Sequence, residues 1–255
     1  WYSHDFGSTW NNSSGFSTNL SNPVSGLVSS ESGQYITAII SYEKIYRSTD
    51  YGVTFSPVVS GTPSDGLGGY AGYKAGAVTM SASGENQAVA AYPNTGAFYT
   101  SSNFGETWSL NTDAAIAASG GFTAVTMSAD GLTIVVASLL SGGSFLTSLD
   151  GGGTFTNGAG GLNLASTQDA SFSMTMSADG TWLATAVNPG SNTGYIYMSN
   201  DTAASWNQAT APVAQWGMLA SNSDFSTIIA TQNGATSEPL VLGAVGGSSS
   251  ASSSN

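Results

Sequence analysis

The sequence predicts an all-β chain folded as a β-propeller of five four-stranded blades closed by its N-terminal strand. Three observations predict it. An eight-residue turn motif returns five times, a second turn motif alternates with it at the same period, and the runs between them are β-rich, with no helical periodicity sustained over three turns. Of the 255 residues 40% are apolar and 11% aromatic, which is enough for a substantial core.

The first motif is Ser-x-Asp-x-Gly-x-Thr-aromatic. It begins at Ser3 (Asp5, Gly7, Trp10), returns at Ser48 (Asp50, Gly52, Phe55) and again at Ser101 (Asn103, Gly105, Trp108), where Asn replaces Asp. The fourth copy starts at Ser148 (Asp150, Gly152, Phe155), and the fifth at Ser199 (Asp201, Trp206) has lost the glycine. Such a turn is self-contained, because the carboxylate accepts backbone N–H groups of its own loop. Its glycine takes a positive φ, and its terminal aromatic is placed to pack between neighbouring blades.

The second motif, Met-Ser-Ala-Asp-Gly, is identical at 127–131 and 176–180 and differs at one position at 80–84; looser copies lie at 29–33 and 221–225. Each copy joins a first strand, such as Phe122–Met127, to a second: Tyr35–Ser41, Ala88–Tyr92, Leu132–Leu139, Trp182–Val187 and Thr227–Thr231. A Gly-rich loop leads to a third strand, as at Gly194–Met198, and the first motif turns that strand into a fourth. Four short strands per unit, with turn signals every 8–12 residues, describe a propeller blade. First strands carry small residues (Gly76, Ala77, Thr123, Ala124, Ser171, Ser173), as expected nearest a crowded axis.

These motifs resemble the Asp-box, or BNR, repeats of sialidases, sortilin-type receptors, certain glycoside hydrolases and a photosystem assembly factor, over residues 1–245. The resemblance implies the propeller fold, with the boxes on a rim away from any active site, and it implies no chemistry. The units then run over about 1–22 with 215–245, 23–60, 73–112, 120–160 and 169–210, followed by a Ser/Gly-rich tail or linker at 246–255. The chain opens at the end of a third strand (Trp1–Ser3) and ends with a first strand (Gln215–Ala220), a second, and a candidate third (Pro239–Val245). The N-terminal strands are expected to complete the last blade, residue 1 reading as the start of a processed or trimmed chain. Two other readings stand beside closure. In one, the five units belong to a larger six- or seven-bladed ring. In the other, Pro239–Val245 fills the last blade and the N-terminal strand docks on another subunit.

Composition narrows the function. Charged residues are 7% of the chain, against about a quarter in ordinary proteins. Three basic residues, Lys44, Arg47 and Lys74, face fifteen acids for a net charge of −12, which argues against nucleic acid and anionic membrane surfaces. No apolar run reaches the length of a membrane span, so no membrane insertion is expected. No cysteine is present, so thiol catalysis and Cys-ligated zinc are excluded.

Sialidases hold the substrate carboxylate with three arginines, and a single Arg47 cannot supply that clamp. Of the acids, Asp5, Asp50, Asp150, Asp201 and Glu106 belong to the first motif, and Glu31, Asp130, Asp179 and Asp224 to the second. Glu43, Asp65, Glu85, Asp113, Asp169 and Glu238 are scattered over different units, and nothing in their spacing makes a glycosidase pair. His4, the only histidine, sits at a variable motif position and reads as a solvated turn residue. No catalytic residue, metal ligand or cofactor is therefore assigned.

Binding is sought on the loops opposite the boxes, where a repeated scaffold carries its variable residues. The longest well-marked loop, Ser60–Gly76, offers Asp65, Tyr70, Tyr73 and Lys74; Tyr92, Asp169 and Trp216 are further candidates on the same face. The reading that follows is a non-catalytic extracellular or cell-surface module for surface, matrix or filament assembly. Its partner is a protein, including self-assembly through terminal strands, or a glycan. A glycan-binding lectin and a glycoside hydrolase are the alternatives.

Overall fold

The computed structural model describes residues 1–16, 24–40, 45–59, 77–90, 97–119, 121–138, 144–158, 171–190, 193–232 and 240–242. Five antiparallel sheets follow one another along the chain. The first holds β1 (Val24–Ser29), β2 (Ile36–Ile40), β3 (Ile45–Ser48) and β4 (Ser56–Pro57); the second β5 (Ala77–Met80), β6 (Gln87–Ala90), β7 (Phe98–Ser101) and β8 (Ser109–Leu110). A short helix, α1 (Ala114–Ser119), precedes the third sheet of β9 (Phe122–Met127), β10 (Ile134–Ser138), β11 (Ser144–Ser148) and β12 (Thr156–Asn157). The fourth is β13 (Ser171–Met176), β14 (Leu183–Gly190), β15 (Thr193–Ser199) and β16 (Asn207–Gln208). The fifth has three strands, β17 (Trp216–Ser221), β18 (Ile228–Gln232) and β19 (Leu240–Leu242).

Every sheet is a meander in chain order, and the same register recurs: Ile36 faces Ser48, Gln87 faces Ser101, Ile134 faces Ser148 and Leu183 faces Ser199. In the fifth sheet Ile228 faces Leu242 instead. Inner strands pack side by side in sequence, β1 on β5, β5 on β9, β9 on β13 and β13 on β17, while β17 makes no comparable approach to β1.

The core lies between adjacent sheets. Ala88, Ala90 and Phe98 of the second sheet interlock with Phe122, Ile134, Val136 and Phe155 of the third, and the seams on either side repeat the arrangement. The second strands of the first three sheets are almost wholly buried, as in β6 and β10, because both of their faces are covered by neighbouring sheets. At the two ends this cover is missing. Leu27 on β1 is 65% exposed and Met218 on β17 is 75% exposed.

Helix α1 was not anticipated, and its cause is local. Asp113 caps it, Oδ1 accepting the N–H groups of Ala115 (2.9 Å) and Ile116 (3.3 Å), and four alanines around Ile116 favour helix.

Residues 1–16 add no strand to any of these sheets. Tyr2 bridges Asn11 across its own turn, and Ser14 bridges Thr54 in parallel. Phe16 then stacks on Phe55 at 4.4 Å. Gly15 permits the approach: its φ is +89°, and a Cβ there would lie 1.9 Å from the Phe55 carbonyl oxygen.

Candidate functional site

The five Ser-x-Asp-x-Gly-x-Thr turns share one hydrogen-bond scheme. The serine hydroxyl donates to the aspartate and accepts the N–H four residues on: Ser3 to Asp5 at 2.7 Å with Gly7 N–H at 2.8 Å, and Ser48 to Asp50 at 2.8 Å with Gly52 N–H at 3.0 Å. The same Asp oxygen accepts the N–H of the turn's last Thr, and the other oxygen accepts its hydroxyl, as Asp150 does from Thr154 at 2.9 and 2.8 Å. In the third copy Asn103 keeps the scheme by reversing one bond, its amide donating to Thr107 Oγ1 at 2.9 Å.

These bonds favour the charged form. The hydroxyl of Thr9 holds Asp5 at about 2, and the N–H of Thr154 does the same for Asp150. Asp50 and Asp201 are lowered first by the hydroxyls of Thr54 and Ser205. Carboxylates held ionised in this way are poor proton donors, and both oxygens of each are engaged within its own turn.

The second motif makes a different connection. Glu31 N–H donates to Ala82 O, Ala82 N–H to Ala129 O, Ala129 N–H to Ala178 O and Ala178 N–H to Ser223 O, all at 2.8–2.9 Å. One backbone ladder thus ties all five sheets together at these turns. Asp130 and Asp179 are lowered mainly by the hydroxyls of Ser128 and Ser177 in their own turns, and Asp224 by Ser226.

The turn rim also displays aromatic rings. The fourth residue of each first-motif turn has positive φ: Phe6 (57°), Tyr51 (62°), Phe104 (60°), Gly151 (73°) and Thr202 (58°). Three of these five are aromatic, although bulky side chains are disfavoured there. Phe104 stacks on Tyr35 at 4.5 Å, while Arg47 Nε donates to the Phe104 carbonyl at 2.7 Å. His4 lies 5.0 Å from Tyr2 and 6.0 Å from Tyr51, ring to ring. In the sequence the signal for this rim is three aromatics, Phe6, Tyr51 and Phe104, at one variable position of the motif.

Of the residues expected on the loop face, Asp65, Tyr70, Tyr73, Lys74, Tyr92 and Asp169 lie outside the described residues. Trp216 corrects the expectation. It is 1% exposed, packed between the fourth and fifth sheets, and presents no surface to a ligand. Asp113, left unassigned among the acids, caps α1 through its carboxylate. Among the described residues no cluster of His, Cys, Asp or Glu could hold a metal ion, and no helix is long and apolar enough to cross a membrane.

The remaining marked features are the two open ends. Trp10 closes its turn as Trp108 does, the indole N–H donating to the carbonyl of Gly7 (3.0 Å) or Gly105 (3.1 Å). Yet Trp10 is 59% exposed and Trp108 only 2%. Trp108 is covered by Ile39, Ile45 and Val58 of the preceding sheet and by Val89 and Tyr99 of its own. Trp10 has no corresponding inner strands among the described residues.

No family model and no curated protein matches the sequence. Solved structures do match the fold. The GH74 xyloglucanase from Xanthomonas campestris superposes with a TM-score of 0.62 at 15% identity, over 88% of this chain and 35% of that one. YCF48 from Cyanidioschyzon merolae gives 0.57 at 14% identity (84% and 65%), and a YCF48 bound to D1 peptide gives 0.54 at 10% (90% and 73%). The chain spans about a third of the xyloglucanase and about two thirds of the C. merolae protein. With its run of antiparallel four-stranded sheets, this chain has the β-propeller fold.

Proposed function

We propose that this chain is a non-catalytic extracellular module for surface, matrix or filament assembly, built from five Asp-box-type units and acting by binding protein. The observation that carries the reading is the apolar surface exposed at the two ends of the run of sheets, with Trp10 and Leu27 at one and Met218 at the other. Exposed apolar surface of this kind marks contact with another macromolecule. The sparse charge of the chain suits close association, since little has to be desolvated. A propeller with a bound peptide among the similar folds is consistent with a protein partner. Light scattering tests the reading: a mass above that of one chain, rising with concentration, is expected, and a strictly monomeric chain would count against self-assembly.

A second reading, glycan binding, is favoured by the Tyr2–His4–Tyr51 group, in which His4 and Tyr51 are exposed, since sugars stack on exposed rings. A glycan array on the intact chain and on Tyr51→Ala separates the two.

A further inference from the structure

The open ends match each other in register. Tyr2 faces Asn11 nine residues on, as Arg47 faces Ser56, Thr100 faces Ser109, Thr147 faces Thr156 and Met198 faces Asn207. Residues 1–11 are therefore the outer half of a blade, a third-strand end followed by a turn and a fourth strand. They also sit where a preceding blade would sit. Thr100 of the second sheet lies against Gly152 in the turn of the third, and Tyr2 lies against Gly52 in the turn of the first.

Among the described residues the fifth sheet shows no such half. Its third strand β19 ends in Leu242 where the other sheets place the serine that opens the turn, and the residues after it, Gly243-Ala244-Val245-Gly246-Gly247-Ser248-Ser249, carry neither the Asp nor the aromatic. A leucine can neither donate to the Asp nor accept the N–H that the serine accepts. Trp1-Tyr2-Ser3 has the required sequence, aromatic-x-Ser, found in Tyr46-Arg47-Ser48 and Tyr99-Thr100-Ser101.

The turn ladder fits as well: it stops at the N–H of Ser223 and the carbonyl of Glu31, neither of which has a backbone partner among the described residues.

We infer that residues 1–11 of one copy dock on the fifth sheet of a second copy, replacing β19. This rests on the assembly reading above and names its partner. The contact is head-to-tail, so it propagates into a filament or closes into a larger ring according to the rotation per copy.

The absence of native cysteine gives a clean test. In the composite sheet Tyr2 would face Ile229, as Arg47 faces Thr37, at a separation a disulfide spans. Mixing the full chain carrying Tyr2→Cys with one carrying Ile229→Cys under oxidation should give disulfide-linked dimers of one of each. Trp10→Ala, whose exposed site should leave folding and circular dichroism unchanged, should weaken association by about tenfold or more by light scattering. A disulfide formed only within single chains of the double variant would overturn the second-copy contact in favour of a ring closed by its own N-terminus. Association that persists without any cross-link would leave assembly standing and reject this geometry.

Discussion

Asn188 grips the backbone of Trp216 at both ends. Its amide nitrogen donates to the Trp216 carbonyl at 2.6 Å, and its Oδ1 accepts the Trp216 N–H at 2.8 Å. The pair is buried and joins the end of β14 to the start of β17, so one side chain does between the fourth and fifth sheets what a strand ladder does within a sheet. It also fixes the tryptophan whose ring fills that seam.

Replacing Asn188 with leucine should therefore be costly. It leaves a buried N–H and a buried carbonyl without partners, at about 1–3 kcal/mol each. Urea denaturation of Asn188→Leu should show a loss of about 2–5 kcal/mol, and Asn188→Asp, which sets a buried carboxylate oxygen against the Trp216 carbonyl, a loss at least as large at neutral pH. A variant as stable as the parent would show that the seam does not depend on this clamp.

Acid stability should follow the turn aspartates. Asp5 and Asp150 lie near 2 in the fold against an ordinary 3.8, so the charged turn contributes fully above about pH 4 and is lost as pH falls toward 2. Asp150→Asn should flatten this decline, because Asn103 shows that an amide holds the same turn without titrating. Asn103→Asp should steepen it. Melting temperatures from pH 5 to 2 read both changes, and an unchanged profile in Asp150→Asn would separate the turns from acid denaturation.

Much of the fold could be read from the sequence because the turns are local. Ser148, Asp150 and Thr154 form their bonds within seven residues, so the motif specifies the turn without help from the rest of the chain. Strand positions followed, as with Phe122–Met127, foreseen and found. Trp216 was misplaced because a bulge between Trp216 and Leu219 breaks the alternation of β17, so that both side chains face inward where simple alternation separates them. The ladder through Ala82, Ala129 and Ala178 uses backbone groups alone, which no side-chain pattern encodes.

The tryptophans of the turns should not respond alike to truncation. Trp108 Nε1 donates to Gly105 O, but in the fifth turn Ala203 replaces the glycine and the buried Trp206 Nε1 has no partner. Trp108→Phe should lose about 1 kcal/mol for the hydrogen bond as well as packing. Trp206→Phe removes an unsatisfied donor and keeps a ring like those of Phe55 and Phe155, so its loss should be smaller by about that amount. Equal losses in thermal unfolding would mean that the Trp108 bond contributes nothing net.

Phe6 offers a stabilising change. It is fully exposed at a φ of 57°, a conformation that costs a bulky residue about 1 kcal/mol and that asparagine adopts more readily. Phe6→Asn should raise stability by up to about 1 kcal/mol if residues 1–16 unfold with the body of the chain. The coupling can be read from Gly15→Ala, where the new Cβ meets the Phe55 carbonyl and must pull Phe16 off Phe55. If Gly15→Ala lowers the global midpoint and Phe6→Asn raises it, the N-terminal half-blade is part of the cooperative unit. If Gly15→Ala leaves the midpoint where it was while proteolysis before residue 16 accelerates, the segment unfolds separately, and Phe6→Asn should then change nothing in the global transition.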